Sequence, residues 1–546
     1  MITAIEIENF KGIGERQRVE FRPLTLLFGP NSAGKSTILH ALHYAREVFE
    51  RHNFDADQTA IGGPFVDLGG FRNFVHNRDQ SKSVSLAFEI SLGRGHPFAG
   101  DTAYTQWLPT GRIQGAMADR IESLSRARIE LSIKWSVYCS KPVMTMYRVS
   151  LDGAMIATIL DDIDKPGLRI TELNVNHPIF GIDKEGDIPE GAAEILATWD
   201  GAEKWNPADT KMDSRMIRFS SDGEVLDWDT EIDFNDYDEY GPHYEEKERA
   251  REISMALLSS LLLGPAKALR SELRTMTYLG PLRQTPPRGF LPPRTPAPGR
   301  WATGLAAWDT LHDANDSFLA AVNSWLSQRD RLDSGYRLQR RRVAQLDLAS
   351  PLAVSLQSLR AFDDVEDLAG QIRALPCHTV LGLVAPGSPE VLLDAEDVGE
   401  GIGQIIPVIT AAISPRTGAL LIEQPELHVH PRVQVGLGDL FIQSARPFGH
   451  HLSAVHAGFY DADKTVVVET HSEHLMLRIL RRIRETADGT LATGLPKIGP
   501  EDIAVLYVQS GDQGSKITRL RVNEEGEFID RWPHGFFDER GEELFG

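Results

Sequence analysis

The stretch "RPLTLLFGPNSAGKSTILHALHYA" (residues 22–45) decides the fold class of this chain. Leu24 to Phe28 form an apolar run that predicts a buried strand. Residues 29–36 match the phosphate-binding pattern GxxxxGK[ST], and apolar residues at helical spacing follow them. Strand, glycine-rich loop and helix in this order predict an α/β fold that binds a nucleotide.

Each residue type in this loop has a chemical reason to be there. Gly29 and Gly34 let backbone N–H groups turn toward phosphates, and the following helix adds the positive end of its dipole. Lys35 is expected to reach the terminal phosphates, and the Ser36 hydroxyl is expected to ligate Mg²⁺. The predicted cofactors are therefore ATP and Mg²⁺. The predicted nucleotide-binding run is Gly29, Pro30, Asn31, Ser32, Ala33, Gly34, Lys35, Ser36 and Thr37.

A second strand, in "GALLIEQPELHVHP" (418–431), is predicted to deliver a carboxylate to the metal. Glu423 ends the apolar run and can hold Mg²⁺ directly or through water. Gln424 stands where an activating base is expected; it cannot accept a proton but can orient water. Glu426 could supply the missing carboxylate, or it could be an acid that favours a helix start. A deliberate Glu-to-Gln change at position 424 is a third alternative.

A third strand is predicted in "KTVVVETHSEHLMLRIL" (464–480), with His471 just beyond its apolar residues. A histidine at the end of a strand can hydrogen-bond a γ-phosphate and respond to its presence. Glu469 and Ser472 flank it and are candidate supporting groups. The predicted catalytic set is therefore Glu423, Gln424, Glu426 and His471, with Ser36 and Glu423 as metal ligands.

Composition limits the remaining functional classes. A chain of 546 residues is too long for one compact core, so several domains or a large insertion are expected. A net charge of −21 disfavours non-specific DNA binding, which needs lysine and arginine to displace counterions. Cys139 and Cys377 form no CxxC pair, and the longest apolar run is too short for a bilayer. We expect a cytoplasmic protein without membrane contact.

Taken together and in this order, these motifs resemble the ABC-type ATPase heads of Rad50, SMC, RecF-like and OLD proteins. The opening segment (residues 2–37) is similar to theirs over its whole length. The resemblance implies a homodimer or higher homo-oligomer, with ATP bound between two heads. It also implies a signature segment, and "DVGEGIGQIIPVITAAI" (397–413) is the similar stretch. There Gly401 and Gly403 would allow backbone approach to the partner's ATP, Gln404 would supply a polar contact, and a helix after Gln404 would point its dipole at the phosphate.

A closer resemblance is to stand-alone AAA-15-type ATPases, which include DUF3696-like proteins and the PtuA-like ATPases of Septu and retron systems. Four stretches carry it: 66–79, 278–290, 423–431 and 526–545. The "EQPELH" form looks like a natural variant of this family, with His430 at the position of the interface-loop aspartate. The resemblance implies slow ATP hydrolysis that controls a separate effector in antiviral defence. The implied effector is an HNH nuclease, with a retron reverse transcriptase and its RNA as further partners and only indirect contact with DNA.

The motifs predict five segments along the chain. Residues 1–94 are the first lobe of the ATPase head, and residues 362–546 are the second lobe. The two lobes are expected to join in one mixed sheet. Residues 95–275 are a β-rich and then helical insertion, residues 276–300 a return strand and proline-rich linker, and residues 301–361 a helical segment. The linker arginines Arg283 and Arg288 could reach a phosphate or a partner, but linker arginines mostly face water, and this is the preferred interpretation.

Two other functional classes remain as alternatives. The first is a RecF-like repair ATPase that contacts DNA directly, through the basic segments 478–485 and 336–342. A solvated helix face is the preferred interpretation of both segments, given the acidic net charge. The second is the nucleotide-binding subunit of a transporter, which the amino-terminal pattern and the large insertion disfavour.

Overall fold

The computed structural model describes residues 1–92, 120–180, 217–219, 228–229, 232–234, 244–358, 369–445 and 464–533, apart from 122, 163–164, 175, 371 and 389. Most of the acidic segment 220–248 and the end of the 526–545 motif lie outside these residues. Within them, no helix is both long enough and apolar enough to span a bilayer.

The strands of the described residues are numbered β1 to β17 along the chain. They are β1 Ile2–Glu8, β2 Gln17–Glu20, β3 Leu24–Phe28, β4 Ser83–Ser91, β5 Arg126–Ser136, β6 Lys141–Leu151, β7 Ala154–Asp162, β8 Lys165–Leu173, β9 Ile217–Phe219, β10 Ile232–Phe234, β11 Thr277–Leu279, β12 Arg337–Ala344, β13 Cys377–Val384, β14 Gly418–Glu423, β15 Lys464–Glu469, β16 Ile503–Gly511 and β17 Gly514–Leu520.

The α-helices of the same residues are numbered in the same way. They are α1 Lys35–Arg51, α2 Phe71–Phe74, α3 Tyr244–Thr275, α4 Leu305–Asp313, α5 Asp316–Ser327, α6 Pro351–Ser358, α7 Glu400–Ile413, α8 Pro431–Ser444 and α9 Glu473–Ala487. The strands predicted at the phosphate loop, the acidic motif and His471 are confirmed as β3, β14 and β15, and the return strand is confirmed as β11.

The central sheet of the structure has six strands in the order β11-β14-β15-β3-β16-β17. Its strands are parallel except for β17, which runs antiparallel to β16 at one edge. Alternate residues enter two different cores: Leu27 and Leu421 pack on one face, and Leu26 and Ile422 pack on the other. Burial on both faces is typical of a parallel sheet, and it explains the continuous apolar runs in the sequence. The α/β fold of P-loop ATPase heads is confirmed.

The expected mixed sheet is present, because β3 of the first lobe joins strands of the second lobe in the central sheet, but the other strands of the first lobe belong to a second sheet. Strands β1, β2 and β4 join β5 to β8 in a seven-stranded antiparallel sheet of order β2-β1-β4-β5-β6-β7-β8. Strand β5 pairs antiparallel with β4, and the inserted strands β5 to β8 therefore extend the sheet that the amino-terminal strands begin. Of the strands described in residues 1–92, only β3 enters the central sheet.

The predicted helical segment 301–361 also differs from the structure. Its first part is two helices, α4 and α5, because the Asn315 side chain accepts a hydrogen bond from the Phe318 N–H at 2.8 Å and caps α5. Its later part contains β12, which pairs antiparallel with β13. The basic segment 336–342 therefore lies on a strand, where Arg340 binds the Ala314 carbonyl and the Asp316 carboxylate.

The other basic segment, 478–485, lies on α9 and packs against α8. Arg482 is 8% exposed and its guanidinium donates to both carboxylate oxygens of Asp439, at 2.6 and 3.0 Å. Arg478 also reaches Asp439, and Arg481 pairs with Glu485. The pairs with Asp439 join α8 to α9. Because all three arginines are paired, little of their positive charge is left for a DNA backbone.

Asp439→Ala should lower the free energy of unfolding by about 2 kcal/mol, because it removes the buried carboxylate that binds Arg482 and Arg478 and leaves Arg482 only its pair with Glu485. Chemical denaturation followed by circular dichroism measures the loss. Asp488→Ala, at the end of the same helix pair, is the control. A loss below about 1 kcal/mol would mean that Arg482 finds water or another partner.

Candidate nucleotide site

Three parallel strands end side by side at one edge of the central sheet. The phosphate loop follows β3, Glu423 ends β14 and Glu469 ends β15. Strand β15 lies between the other two, and its register places Glu469 opposite both Glu423 and Leu27. Residues separated by more than 380 positions in the sequence therefore meet at one edge.

The phosphate loop has backbone angles that its glycines make possible. Gly29 has φ +142°, and a Cβ there would lie 2.0 Å from the Val508 carbonyl oxygen of β16. Gly34 has φ +99°, and a Cβ there would lie 2.5 Å from Ser515 Oγ. Ser515 Oγ donates to the Ala33 carbonyl at 2.7 Å, so the β16–β17 hairpin supports the loop from behind.

The outer and inner halves of the loop differ in exposure. Pro30, Asn31 and Ser32 are exposed, whereas Ala33 and Thr37 are buried. The exposed residues leave the outer side of the loop open to a ligand.

Lys35 is 4% exposed at the start of α1. Its Nζ donates to the carbonyls of Gly29 and Pro30 at 3.1 and 2.9 Å. Burial lowers the pKa of Lys35, while nearby carboxylates partly offset this. The ammonium therefore interacts with its own loop, and phosphate oxygens would be stronger partners for it.

Two buried carboxylates share the site. Ser36 Oγ donates to Glu469 Oε2 at 2.8 Å, and Lys35 Nζ lies 4.0 Å from Glu469 Oε1. The Tyr278 hydroxyl donates to Glu423 Oε1 at 2.9 Å. Burial, and then the charge of Glu469, raise the pKa of Glu423 to about 7. Burial likewise raises the pKa of Glu469. These raised pKa values indicate that the positive groups near Glu423 and Glu469 do not fully offset the burial of the two carboxylates.

The donor atoms fit Mg²⁺. Carboxylate and hydroxyl oxygens are hard ligands, and a cation beside Glu423 and Glu469 would offset the burial of both carboxylates and the repulsion of Glu423 by Glu469. In the described part of the chain no three His, Cys, Asp or Glu side chains form a metal cluster. Mg²⁺ would thus depend on Ser36, one or two carboxylates and phosphate oxygens, the usual arrangement for this ion.

Gln424 lies one residue past the strand with φ +43°. Its N–H donates to the Glu469 carbonyl at 2.7 Å, and its carbonyl accepts from Arg283 Nη1 at 3.4 Å. A left-handed backbone conformation is unfavourable at a non-glycine residue, and these two hydrogen bonds stabilise it at Gln424.

Both carboxylate oxygens of Glu426 accept hydrogen bonds. Its Oε2 accepts from Thr470 Oγ1 at 2.8 Å, and its Oε1 accepts from the His471 N–H at 2.7 Å. The alternative of a helix-start acid is wrong, because residues 425–428 form a turn and α8 begins at Pro431. Glu426 instead fixes the main chain that carries His471.

His471 is half-buried, and its Nε2 is buried without a hydrogen-bond partner among the described residues. Burial, followed by the charge of Lys35, lowers the pKa of His471, so the ring is neutral at pH 7. A buried ring nitrogen without a partner fits a phosphate oxygen as a ligand. Ser472 instead caps α9, where its Oγ accepts from the Leu475 N–H at 3.1 Å.

Comparisons with protein families show the family of this chain. Residues 193–477, more than half of the chain, match the AAA_21 model, described as "AAA domain, putative AbiEii toxin, Type IV TA system". The chain belongs to the AAA_21 family. Residues 4–94 match the AAA_23 AAA domain, and residues 498–545 match DUF3696, a protein family of unknown function. No curated protein matches the chain.

Solved structures similar to this AAA_21 protein include heads of SMC proteins. The SmcHead bound to the C-winged helix domain of ScpA has TM-score 0.36 and 10% identity over 95% of this chain and 98% of its own. The SMC head domain from Thermotoga maritima has TM-score 0.33 and 8% identity over 95% and 99%. The Smc head with an extended coiled coil, bound to the C-terminal domain of ScpA from Pyrococcus furiosus, has TM-score 0.34 and 10% identity over 95% and 96%.

The signature-like segment of this AAA_21 protein requires a correction. Helix α7 begins at Glu400, so Gly401, Gly403 and Gln404 lie within it and not before it. A Cβ at Gly403 would meet the Thr285 methyl at 2.3 Å, and one at Gly401 would meet the His428 carbonyl at 2.7 Å. These glycines permit close packing within the chain.

Gln404 is 5% exposed, and both atoms of its amide bind the backbone of Arg283. The polar contact that was predicted with a partner's phosphate is therefore not available from this side chain. His430, the predicted interface-loop residue, is exposed and caps α8, where its Nδ1 accepts from the Arg432 N–H at 3.2 Å.

Sequence reasoning missed two residues of the site, Tyr278 and Arg283. Arg283 is 2% exposed, so the expectation that it faces water is wrong. Arg288 does lie at the surface and pairs with Asp397 at 2.5 Å. The predicted return strand could have identified both residues. Strand β11 pairs in parallel with the acidic strand β14, so residues in β11 and just after it lie beside Glu423.

Glu469→Gln should raise the affinity for ATP in EDTA by about fivefold. The amide still accepts from Ser36, but it no longer repels the phosphates, a gain of about 1 kcal/mol. Titration with a fluorescent ATP analogue measures the affinity, and the exposed Glu524→Gln is the charge-matched control. Unchanged or weaker binding in EDTA would show that the Glu469 charge does not oppose the nucleotide.

Proposed function

We propose that this protein is an ATPase that binds Mg²⁺·ATP at the edge formed by β3, β14 and β15, and hydrolyses it slowly. The observation that carries this proposal is the meeting of Lys35 and Ser36 with the two buried acids Glu423 and Glu469. Burying two carboxylates so close together costs free energy, and a bound cation with phosphates would offset that cost.

Binding would exchange the partners of several side chains. Lys35 would leave the carbonyls of Gly29 and Pro30 for β- and γ-phosphate oxygens. Ser36 would release Glu469 and, with Glu423, would hold Mg²⁺. Bound there, Mg²⁺ would neutralise charge on the phosphate oxygens.

Gln424 and His471 are the residues proposed for the hydrolytic step. His471 would donate from Nε2 to a γ-phosphate oxygen, because its ring is neutral and that nitrogen has no partner among the described residues. Gln424 would orient the attacking water but would not take its proton. Turnover should therefore be slow, which suits a switch that stays bound to ATP.

Gln424→Glu should raise steady-state phosphate release by about tenfold or more, because the carboxylate can accept a proton from the attacking water. Glu426→Gln should reduce turnover in either background, because it weakens the contacts that hold His471. The measurement is phosphate release at saturating Mg²⁺·ATP. If Gln424→Glu is no faster than the native protein, a different group activates water.

We further propose that ATP joins two copies of the chain head to tail. The outer residues of the phosphate loop, Pro30 to Ser32, are exposed, so a second surface can cover bound ATP. Helix α7 would supply that surface through its start at Gly399 and Glu400, which are both exposed. This replaces the polar contact from Gln404.

The proposed role of the dimer is control of a separate effector in antiviral defence. The resemblance to PtuA-like ATPases of Septu and retron systems supports an HNH nuclease as effector, with a reverse transcriptase and RNA as further partners. The family description, which names a type IV TA toxin, also supports a two-component system. The direct DNA-binding alternative is not proposed, because Asp439 and Glu485 pair with the arginines of α9.

Lys35→Ala should abolish ATP binding, ATP-dependent dimerisation and phage protection together. Fluorescent-nucleotide titration, light scattering with ATP and a plaque assay in cells that carry the gene with its neighbours measure the three effects. The control is Lys497→Ala, an exchange in the loop before β16. Protection retained in Lys35→Ala would exclude ATP binding from the defence role.

A further inference from the structure

Arg283 is a buried arginine that binds main-chain carbonyls instead of a carboxylate. Its guanidinium is fully enclosed, donates to the carbonyls of Glu423 and Gln424, and forms no ion pair within the described ranges. Its Nε has no hydrogen-bond partner there. A buried cation without a carboxylate is costly, so this position needs a reason beyond stability.

The two carbonyls that Arg283 binds belong to the turn that presents Gln424. Glu423 is the last residue of β14, and Gln424 is the next residue, with its left-handed backbone at φ +43°. The guanidinium therefore fixes the orientation of two consecutive peptide groups. Because the direction of the Gln424 side chain follows from these peptides, Arg283 sets it.

The main chain of Arg283 is held from the other side by helix α7. The Arg283 N–H donates to Gln404 Oε1 at 2.9 Å, and Gln404 Nε2 donates to the Arg283 carbonyl at 2.5 Å. One buried amide thus satisfies both backbone groups of a residue 121 positions away. Such a pair of bonds transmits a displacement of the helix directly to the arginine.

Packing supports the same connection. Gly304 has φ +79°, and a Cβ there would lie 3.1 Å from both Arg283 Cβ and Pro407 Cγ of α7. The Thr285 methyl occupies the space over Gly403 of the same helix. Arg283 therefore cannot shift relative to α7 without disturbing close contacts on two sides.

We propose that Gln404 and Arg283 are positioning residues that transmit the position of helix α7 to Gln424. This rests on the proposed function, in which the start of α7 covers ATP bound to a second subunit. A shift of α7 on dimerisation then turns the Glu423 and Gln424 peptides, and water is oriented only when the partner is engaged. The device couples dimer formation to turnover through hydrogen bonds within one chain.

The kinetic test uses Gln404→Glu, which keeps the size of the side chain but replaces the N–H donor with an oxygen that faces the Arg283 carbonyl. We expect kcat to fall about tenfold while the Kd for ATP changes less than twofold. Arg283→Lys should retain more activity than Arg283→Met, because lysine still reaches one carbonyl. The surface exchange Arg329→Met, in the loop after α5, is the matched control.

A double-mutant cycle distinguishes a positioning role from a non-specific loss of structure. In a Gln424→Ala background, Gln404→Glu should lower kcat no further, because the residue that it positions is gone. Full additivity of the two substitutions, or a Kd for ATP that changes as much as kcat, would overturn the proposal.

Hydrogen–deuterium exchange tests the connection without turnover. Gln404→Glu should raise amide exchange about tenfold in residues 424–428, relative to Arg329→Met, with the strands of the antiparallel sheet unchanged. Unchanged exchange at 424–428 would overturn the proposal. If the native protein shows no ATP hydrolysis, the proposed function fails, and the exchange experiment still decides whether α7 holds this turn.

Discussion

The pairing of β14 with β15 is the constraint on which the site depends. It places Glu423 opposite Glu469, and it places both carboxylates beside the lysine and serine of the phosphate loop. Burial raises the pKa of both acids, and the charge of Glu469 raises the pKa of Glu423 further. The arrangement is costly without a cation, and Mg²⁺ with nucleotide phosphates, the ligands proposed here, would offset that cost.

A second layer of buried polar groups keeps these acids and their neighbours in place. Tyr278 binds Glu423, Glu426 holds the main chain at His471, Arg283 holds the peptides at Gln424, and Ser515 supports the phosphate loop. Each group comes from a different part of the chain. The positions of the site residues therefore depend on contacts from many parts of the chain and not on the three motifs alone.

The sequence predicted the strands and the loop of the site because their patterns are local. A buried parallel strand appears as an uninterrupted apolar run, and the phosphate loop needs glycine at two fixed positions. The same reasoning failed for Gln404 and Arg283. A glutamine near glycines resembles a phosphate contact, and an arginine in a proline-rich segment resembles a surface charge. Their partnership spans 121 positions and leaves no local pattern.

The sequence by itself determined that a phosphate loop, an acidic strand end and a histidine belong to one α/β head, because each of them is encoded within a few consecutive residues. Only the tertiary structure decided that β1, β2 and β4 join the inserted strands, that Glu426 holds His471, and that a buried arginine links α7 to Gln424. These outcomes depend on which distant segments share a sheet edge or a core, and burial then fixes the partners of each polar group.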